Sequence, residues 1–83
     1  MIPESTITTL DLYVQQGIPT GGFLYAVLTN DLFGAVAKAD IYNRAALYEI
    51  CNYVYNDMPS ACWGSPKIVK EWLERRNNEL GRR

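Results

Sequence analysis

Two irregular segments of the chain each lead into an apolar or amphipathic run, and their residues suit the binding of an anion. In the first segment, Thr20, Gly21 and Gly22 come directly before the apolar sequence FLYAVL. Two consecutive glycines at the start of a helix leave backbone N–H groups uncovered by side chains, and such groups can hold a phosphate or carboxylate. The same glycines can instead let two helices pack closely, so a purely structural role stays open.

The second segment, CWGSP at residues 62–66, precedes a basic amphipathic run. Ser65 followed by Pro66 is a typical helix start, with a hydroxyl N-cap and a proline at the first helical position. N–H groups near Ser65 and the ammonium of Lys67 can hold an anion there, while the ring of Trp63 stacks on an attached base. The alternative is that Trp63 closes the core against the preceding helix. The candidate ligand-binding residues are Thr20, Gly21, Gly22, Trp63, Ser65 and Lys67.

No combination of residues in the chain predicts catalysis. The sequence has no histidine, so a nucleophile would need lysine, tyrosine or a carboxylate as its base. Neither Cys51 nor Cys62 has an evident activating group nearby in the sequence, and we expect both to be reduced thiols. Two cysteines alone cannot complete a four-ligand zinc site, so we expect neither a metal nor another cofactor. The sequence therefore does not predict an enzyme.

The element that must position these segments is a central helix at residues 40–57, DIYNRAALYEICNYVYND. At about 100° per residue its apolar side chains cover nearly the whole circumference, which is typical of a buried helix. Asp40 is its predicted N-cap, and Pro59 ends it. Its four tyrosines suit half-buried positions in a core or a subunit interface, because a tyrosine ring is apolar and its hydroxyl needs a partner.

The other helices are predicted from apolar spacing and from their end signals. The first runs over about residues 5–16, with Ser5 or Thr6 as its N-cap and Gly17 at its end. The second follows Thr20 as its N-cap, over about residues 22–29. Next, Asn30 and Asp31 interrupt the apolar run.

This interruption predicts either a kink or a cap for a short helix that ends near Ala39, and an Asn-Asp pair can also bind a ligand. The last helix covers residues 66–80, before a tail at residues 81–83 that we expect to fray. The predicted fold is a single all-α domain over residues 1–83, a small bundle of four main helices without strands.

The second and central helices offer more apolar surface than two flanking amphipathic helices can cover. Large exposed apolar patches are rare in monomers, so we expect a symmetric homodimer or a multiple of it. No run of about 18 apolar residues is present, and no basic start leads into an apolar segment. We therefore expect a soluble, intracellular protein without a membrane partner.

The charge of the chain is unevenly distributed. Residues 1–66 carry two basic and six acidic groups, whereas residues 67–83 carry six basic and three acidic groups. The basic end can meet an anion, or it can be a solvated helix face with charge pairs such as Lys67/Glu71 and Lys70/Glu74 at i,i+4 spacing. The basic charge of residues 67–83 is too small to predict general nucleic-acid binding.

Three stretches of the sequence together resemble a family of short uncharacterised proteins encoded by tailed bacteriophages and prophages. They are PTGGFLYAVLTNDL, KADIYNRAALYEICNYVYNDMPSACWGSP and the last amphipathic helix with Trp72. The resemblance covers nearly the whole chain, and it implies a phage product in the cytoplasm of a bacterial host. It implies no site residue.

Small phage proteins of this kind commonly act by binding, and three functions follow as hypotheses. The first is a homo-oligomer that counteracts a host defence by sequestering a nucleotide-like signalling ligand. The second is an inhibitor or adaptor that contacts a host protein through the acidic, tyrosine-rich surface of residues 1–66. The third is a virion or assembly component.

Overall fold

The computed structural model describes residues 1–81, so Arg82 and Arg83, part of the tail expected to fray, lie outside the described residues. The helices are α1 (Glu4–Gln16), α2 (Gly22–Leu28), α3 (Leu32–Lys38), α4 (Ile41–Ala45), α5 (Leu47–Asp57) and α6 (Pro66–Glu79), with a 3₁₀ turn at Ser60–Cys62. No strand occurs in residues 1–81, so the all-α prediction is confirmed. The grouping into a bundle of four main helices stays a prediction.

The hydrophobic core lies where α1, α2, α5 and α6 meet. Side chains from these helices, and from the turn before α6, are almost wholly removed from solvent. They are Leu10, Tyr13, Leu24, Leu28, Ile50, Val54, Met58, Cys62 and Val69. Burial of this apolar surface is the main favourable contribution to the free energy of folding. The core includes residues of both α1 and α6, so it holds the first and last helices together.

The start of α1 differs from the prediction. The helix begins at Glu4, with Pro3 as its N-cap, and the carbonyl of Pro3 accepts the N–H groups of Thr6 and Ile7 at 3.0 and 3.2 Å. Neither Ser5 nor Thr6 caps it. Thr6 is buried, and its hydroxyl donates a 2.6 Å hydrogen bond to Oδ1 of Asn43, which ties α1 to α4.

The end of α1 confirms the prediction for Gly17. This glycine adopts a left-handed conformation with φ of 65°, and its N–H donates to the carbonyl of Tyr13 at 3.1 Å. The left-handed conformation favours glycine at this position, and there is a second reason why only glycine fits. A Cβ atom here would lie 2.8 Å from Cβ of Arg76. Gly17 therefore lets α6 pass close to the end of α1.

The predicted interruption after α2 is present, and capping accounts for both of its polar residues. Asn30 has φ of 64°, its N–H donates to the carbonyl of Val27, and the N–H of Asp31 donates to the carbonyl of Ala26. These bonds form a Schellman motif at the end of α2. The Asp31 carboxylate then accepts the N–H of Gly34 at 2.9 Å and caps α3.

The prediction of one continuous central helix over residues 40–57 is wrong, because two helices, α4 and α5, occupy this region. Asp40 is the N-cap as predicted, and its carboxylate accepts the N–H of Asn43 at 2.8 Å. The helix then breaks at Ala46, which has φ of −108° and ψ of 14°. Residues around the break are good helix formers, so local propensity does not cause it. The tertiary bond from Thr6 to Asn43 anchors α4 to α1 three residues before the break.

The prediction that residues 40–57 are buried on nearly all sides is also wrong for the single chain. The buried residues of α5 are Ile50 and Val54, whereas Tyr42 and Tyr48 expose 73 % and 80 % of their surface. Ile41 and Tyr55 are exposed as well. The apolar surplus that the sequence indicates thus lies at the surface of the folded chain.

Helix α6 starts as predicted. The Oγ of Ser65 accepts the N–H of Ile68 at 3.2 Å, and Pro66 is the first helical residue. Further along, Trp72 Nε1 donates to the carbonyl of Tyr13 at 3.3 Å, and Asn77 Nδ2 donates to the carbonyl of Gly17 at 3.1 Å. These bonds dock α6 against α1. No helix in residues 1–81 is both long and apolar enough to cross a bilayer.

Candidate functional site

Residues Thr20, Gly21 and Gly22 form a turn with a cavity on each side. One cavity, of about 250 Å³, is largely apolar, and it is also lined by Tyr13, Pro19, Tyr25, Val69 and Leu73. The other, of about 270 Å³, faces the start of α1 and is polar. The predicted first segment therefore borders two cavities of different chemistry.

The apolar cavity continues into a larger groove along α6. This groove has a volume of about 620 Å³, and it shares Tyr25, Val69 and Leu73 with the cavity. Its other lining residues are Pro66, Lys67, Lys70 and Glu74. We call the two together the α2–α6 groove. It brings Thr20, Gly21 and Gly22 onto one surface with Lys67.

Two exposed lysines line this groove. The charge pairs expected on α6, Lys67 with Glu71 and Lys70 with Glu74, are not formed. The ion pairs within residues 1–81 join the Met1 amino group to Glu49 and Arg76 to Glu79. Lys67 and Lys70 therefore have no ion-pair partner in the described part of the chain, and both ammonium groups are available to a ligand.

The local arrangement at the start of α2 corrects the prediction for Thr20. Its hydroxyl donates to the carbonyl of Gly21 at 3.2 Å, and Gly21 rather than Thr20 is the N-cap. No side chain caps α2, which has seven residues. A helix of two turns has a small macrodipole, so its N-terminus alone is a weak attraction for an anion.

Ser65 does not line the α2–α6 groove. Its oxygen is occupied as the cap of α6, and the neighbouring Gly64 donates its N–H to the carbonyl of Leu28 at 2.7 Å. These contacts fix the entrance of α6 against the end of α2. Ser65 thus positions Lys67 without facing the groove itself.

Trp63 lies away from the groove, against α5. Its ring centroid is 5.6 Å from that of Tyr55, with an angle of 51° between the ring planes. It borders a separate cavity of about 220 Å³ with Val27, Asn30 and Cys51. The indole Nε1 is buried and has no hydrogen-bond partner among the described residues. This geometry favours the structural alternative, in which the ring closes the core against α5.

Eight groove residues were not predicted from the sequence: Tyr13, Pro19, Tyr25, Pro66, Val69, Lys70, Leu73 and Glu74. A partial signal was present, because Lys67 and Lys70 are three residues apart and lie on one face of a helix. For Tyr25 the sequence contains no such signal, since a tyrosine within an apolar run is equally typical of a core residue. It exposes 45 % of its surface in the groove.

Neither thiol is activated by its surroundings. Burial raises the pKa of the Cys62 thiol to about 11 and also raises the pKa of the Cys51 thiol. Both are free cysteines. A raised pKa leaves less thiolate at neutral pH, and the thiolate is the reactive form.

No protein-family model, curated protein or solved structure matches the chain.

Proposed function

We propose that the protein acts by binding, and that the α2–α6 groove takes a small anionic ligand with a flat apolar part, such as a nucleotide. The observation that supports this most directly is the pair Lys67 and Lys70. Both are exposed, neither has an ion-pair partner within residues 1–81, and both line the same groove as Tyr25 and Leu73.

The groove offers different chemistry along its length. A volume of about 620 Å³ is in the range of pockets that hold drug-sized ligands. The ring of Tyr25 is a surface on which a planar base can stack. Lys67 and Lys70 hold the phosphate, and Glu74, one turn further along α6, repels it. A ligand with a phosphate near Lys67 and an amino-bearing base near Glu74 therefore has the favoured orientation.

A homo-oligomer completes this proposal. The groove is open on one side, and exposed ion pairs alone contribute only up to about 1 kcal/mol each. A second copy that covers the groove would exclude water and strengthen both interactions. In a bacterial cytoplasm during phage infection, such an oligomer would sequester a signalling nucleotide and so counteract a host defence.

The test is thermal unfolding with adenosine, adenosine monophosphate, a cyclic dinucleotide and inorganic phosphate. A ligand that binds only the folded protein stabilises it by about 2.7 kcal/mol at a concentration of 100 Kd. We expect a nucleotide to raise Tm more than adenosine or phosphate, because only the nucleotide uses both parts of the groove. The double variant Lys67→Ala/Lys70→Ala should lose this effect.

The matched control is Arg44→Ala, which removes an exposed cation on α4 outside the groove. It should keep the response of the wild type. If no nucleotide raises Tm, or if the double variant responds like the wild type, the groove is not a nucleotide site.

A second candidate function is the binding of a protein, and a different observation favours it. Phe33 on α3 exposes 86 % of its surface, and its neighbours Leu32 and Val36 are also exposed. Helix α3 packs on α2 and leaves this apolar face uncovered. Such a face suits either a second copy of the chain or a host protein.

A further inference from the structure

The polar cavity on the other side of Thr20–Gly22 has a composition unlike that of the α2–α6 groove. Its volume is about 270 Å³, and its lining includes four hydroxyls, one carboxamide and one aromatic ring. These belong to Ser5, Thr6, Thr9, Thr20, Asn43 and Phe23. None of the described residues that line it is ionisable. Lys38 comes near, since its stem would contact a Cβ at Gly22, but it does not line the cavity.

Three of the four hydroxyl protons in this cavity are already committed within the chain. Thr6 donates to Oδ1 of Asn43 at 2.6 Å, Thr9 to the carbonyl of Ser5 at 2.8 Å, and Thr20 to the carbonyl of Gly21 at 3.2 Å. Each hydroxyl oxygen keeps lone pairs with which it can accept a further bond. The three threonines therefore present acceptors to a ligand.

Asn43 supplies the complementary donors. Its Oδ1 is occupied by the Thr6 hydroxyl, which fixes the direction of the carboxamide. Its Nδ2 carries two N–H donors, and the structure gives them no partner within residues 1–81. Thr6 is buried, so this pair is a rigid part of the wall. The cavity thus combines fixed acceptors with fixed donors and no net charge.

A neutral ring with several hydroxyls matches this inventory. Each sugar hydroxyl both donates and accepts, so it can bond to a threonine oxygen and to an amide proton at once. The C–H face of such a ring is apolar and can pack on Phe23. An anion would face acceptor oxygens and no cation, which is unfavourable. The volume lies just below the usual range of about 300–1,000 Å³ for ligand pockets, which limits the ligand to one ring.

We propose that this cavity binds a neutral polyhydroxyl ring, a pentose or a hexose. The cavity shares Thr20, Gly21 and Gly22 with the α2–α6 groove, but its other lining residues are different. The proposal does not depend on the function proposed for that groove.

The experiment is a titration of the ¹⁵N-labelled protein with D-ribose, D-glucose and inorganic phosphate, followed by NMR. We expect saturable shifts at the Nδ2 group of Asn43 and at the amides of Gly21 and Gly22 with at least one sugar. Phosphate should leave the Nδ2 group of Asn43 unchanged, and this group is the one compared because Asn43 lines the cavity but not the α2–α6 groove. If phosphate shifts the Asn43 group, or if neither sugar does at about 100 mM, where a Kd of 10 mM would give near saturation, the proposal is wrong.

Variants of one helix separate recognition from folding. Thr9→Val keeps the shape of a half-buried side chain in the cavity and removes its hydroxyl, whereas Thr8→Val makes the same change at an exposed position outside it. We expect sugar affinity to fall about five-fold or more in Thr9→Val and to stay unchanged in Thr8→Val. Equal affinity in the two variants would overturn the proposal.

Asn43→Asp tests the donors. This variant keeps an oxygen for the Thr6 hydroxyl and keeps the backbone N–H that Asp40 accepts, so the fold is retained. It replaces two donors by an acceptor and should abolish sugar binding, and sugar binding equal to that of the wild type would contradict the proposal. The groove variant Lys67→Ala/Lys70→Ala should leave sugar binding unchanged, which distinguishes the two sites.

Discussion

The hydroxyl of Tyr13 donates a 2.7 Å hydrogen bond to the carbonyl oxygen of Cys62, and both residues are buried. This bond ties α1 to the 3₁₀ turn that precedes α6. Tyr13 also lines the apolar end of the α2–α6 groove, and the turn that it binds precedes the helix that carries Lys67. A contact between residues 49 positions apart thus joins the two sides of the groove.

Tyr13→Phe should lower the free energy of unfolding by about 1–3 kcal/mol, because it leaves the buried carbonyl of Cys62 without a donor. Urea denaturation measures the change. The matched control is Tyr48→Phe, which removes the hydroxyl of an exposed tyrosine and should stay within about 0.5 kcal/mol of the wild type. Equal effects of the two substitutions would contradict the structural role of the Tyr13 bond.

The protein should lose stability at alkaline pH. Burial raises the pKa of Cys62 from its ordinary value of 9.0 to about 11. Below pH 9 the thiol is protonated in both states, so stability is unaffected. Between pH 9 and 11 the unfolded chain releases the proton and the folded chain retains it, which lowers the free energy of unfolding by up to about 1.4 kcal/mol per pH unit.

The raised pKa values of Cys51 and Tyr13 act in the same direction. Urea midpoints between pH 8 and 10.5 test this, with Cys62→Ala as the comparison. The variant should lose less stability over that range than the wild type does. A parallel loss in both proteins would show that Cys62 does not cause it.

Gly17→Ala should destabilise the protein by about 2 kcal/mol or more, because it combines a left-handed backbone conformation with a contact too close to Arg76. Gly81→Ala is the control for the conformation alone. Gly81 also has a positive φ, of 76°, but nothing lies within 4 Å of a Cβ there. Thermal unfolding should show a clearly larger loss for Gly17→Ala, and equal losses would mean that the close approach of α6 costs little.

The two tryptophans should respond differently to substitution by phenylalanine. Trp63→Phe removes a buried N–H that has no partner, whereas Trp72→Phe removes a donor that bonds to the carbonyl of Tyr13. We expect Trp72→Phe to cost about 1 kcal/mol more than Trp63→Phe. Trp63→Ala should cost about 3–5 kcal/mol, because it opens a cavity beside Tyr55 and α5.

Urea denaturation of the three tryptophan variants gives these differences. Trp63→Phe should also keep any nucleotide response, since Trp63 does not line the α2–α6 groove. If a folded Trp63→Phe protein lost the rise in Tm with nucleotide, Trp63 would have to be part of the ligand site.

The uncovered face of α3 is a second surface, besides the α2–α6 groove, that we propose for contact with another copy of the chain. We expect the wild type to sediment as a homodimer or larger and Phe33→Ser to shift towards the 9.4 kDa monomer. Leu80→Ser is the control, because it removes an exposed apolar side chain near the end of α6. A monomeric wild type at micromolar concentration would refute the oligomer, and a dimeric Phe33→Ser would place the interface elsewhere.

Local end signals were the part of the fold that could be predicted from the sequence. Asp31, Asp40 and Ser65 each bind a backbone N–H three residues ahead, and Gly17 binds a carbonyl four residues back. Such contacts close within one helical turn, so residue type and spacing are sufficient to indicate them. The prediction of Thr20 as the N-cap of α2 was wrong, because Gly21 takes that position.

The candidate site could be predicted only in part. The sequence indicated that Thr20–Gly22 and Lys67 suit an anion, but not that they lie on one groove while Trp63 lies on another surface. The contacts that dock α6 in this arrangement include the bonds of Trp72 and Asn77 to the end of α1, which join residues about 60 positions apart. No spacing in the sequence encodes such pairs.

What the sequence by itself determined was the helical class, most helix ends and the presence of surplus apolar surface, because these depend on composition and on contacts within a turn. The tertiary structure alone decided where that surplus lies, where the chain breaks at Ala46, and which cavities form beside Thr20–Gly22. Features of this kind arise from contacts between distant parts of the chain, of which the bond from Thr6 to Asn43 across 37 positions is an example. Burial and packing choose among such contacts only when the whole chain has folded.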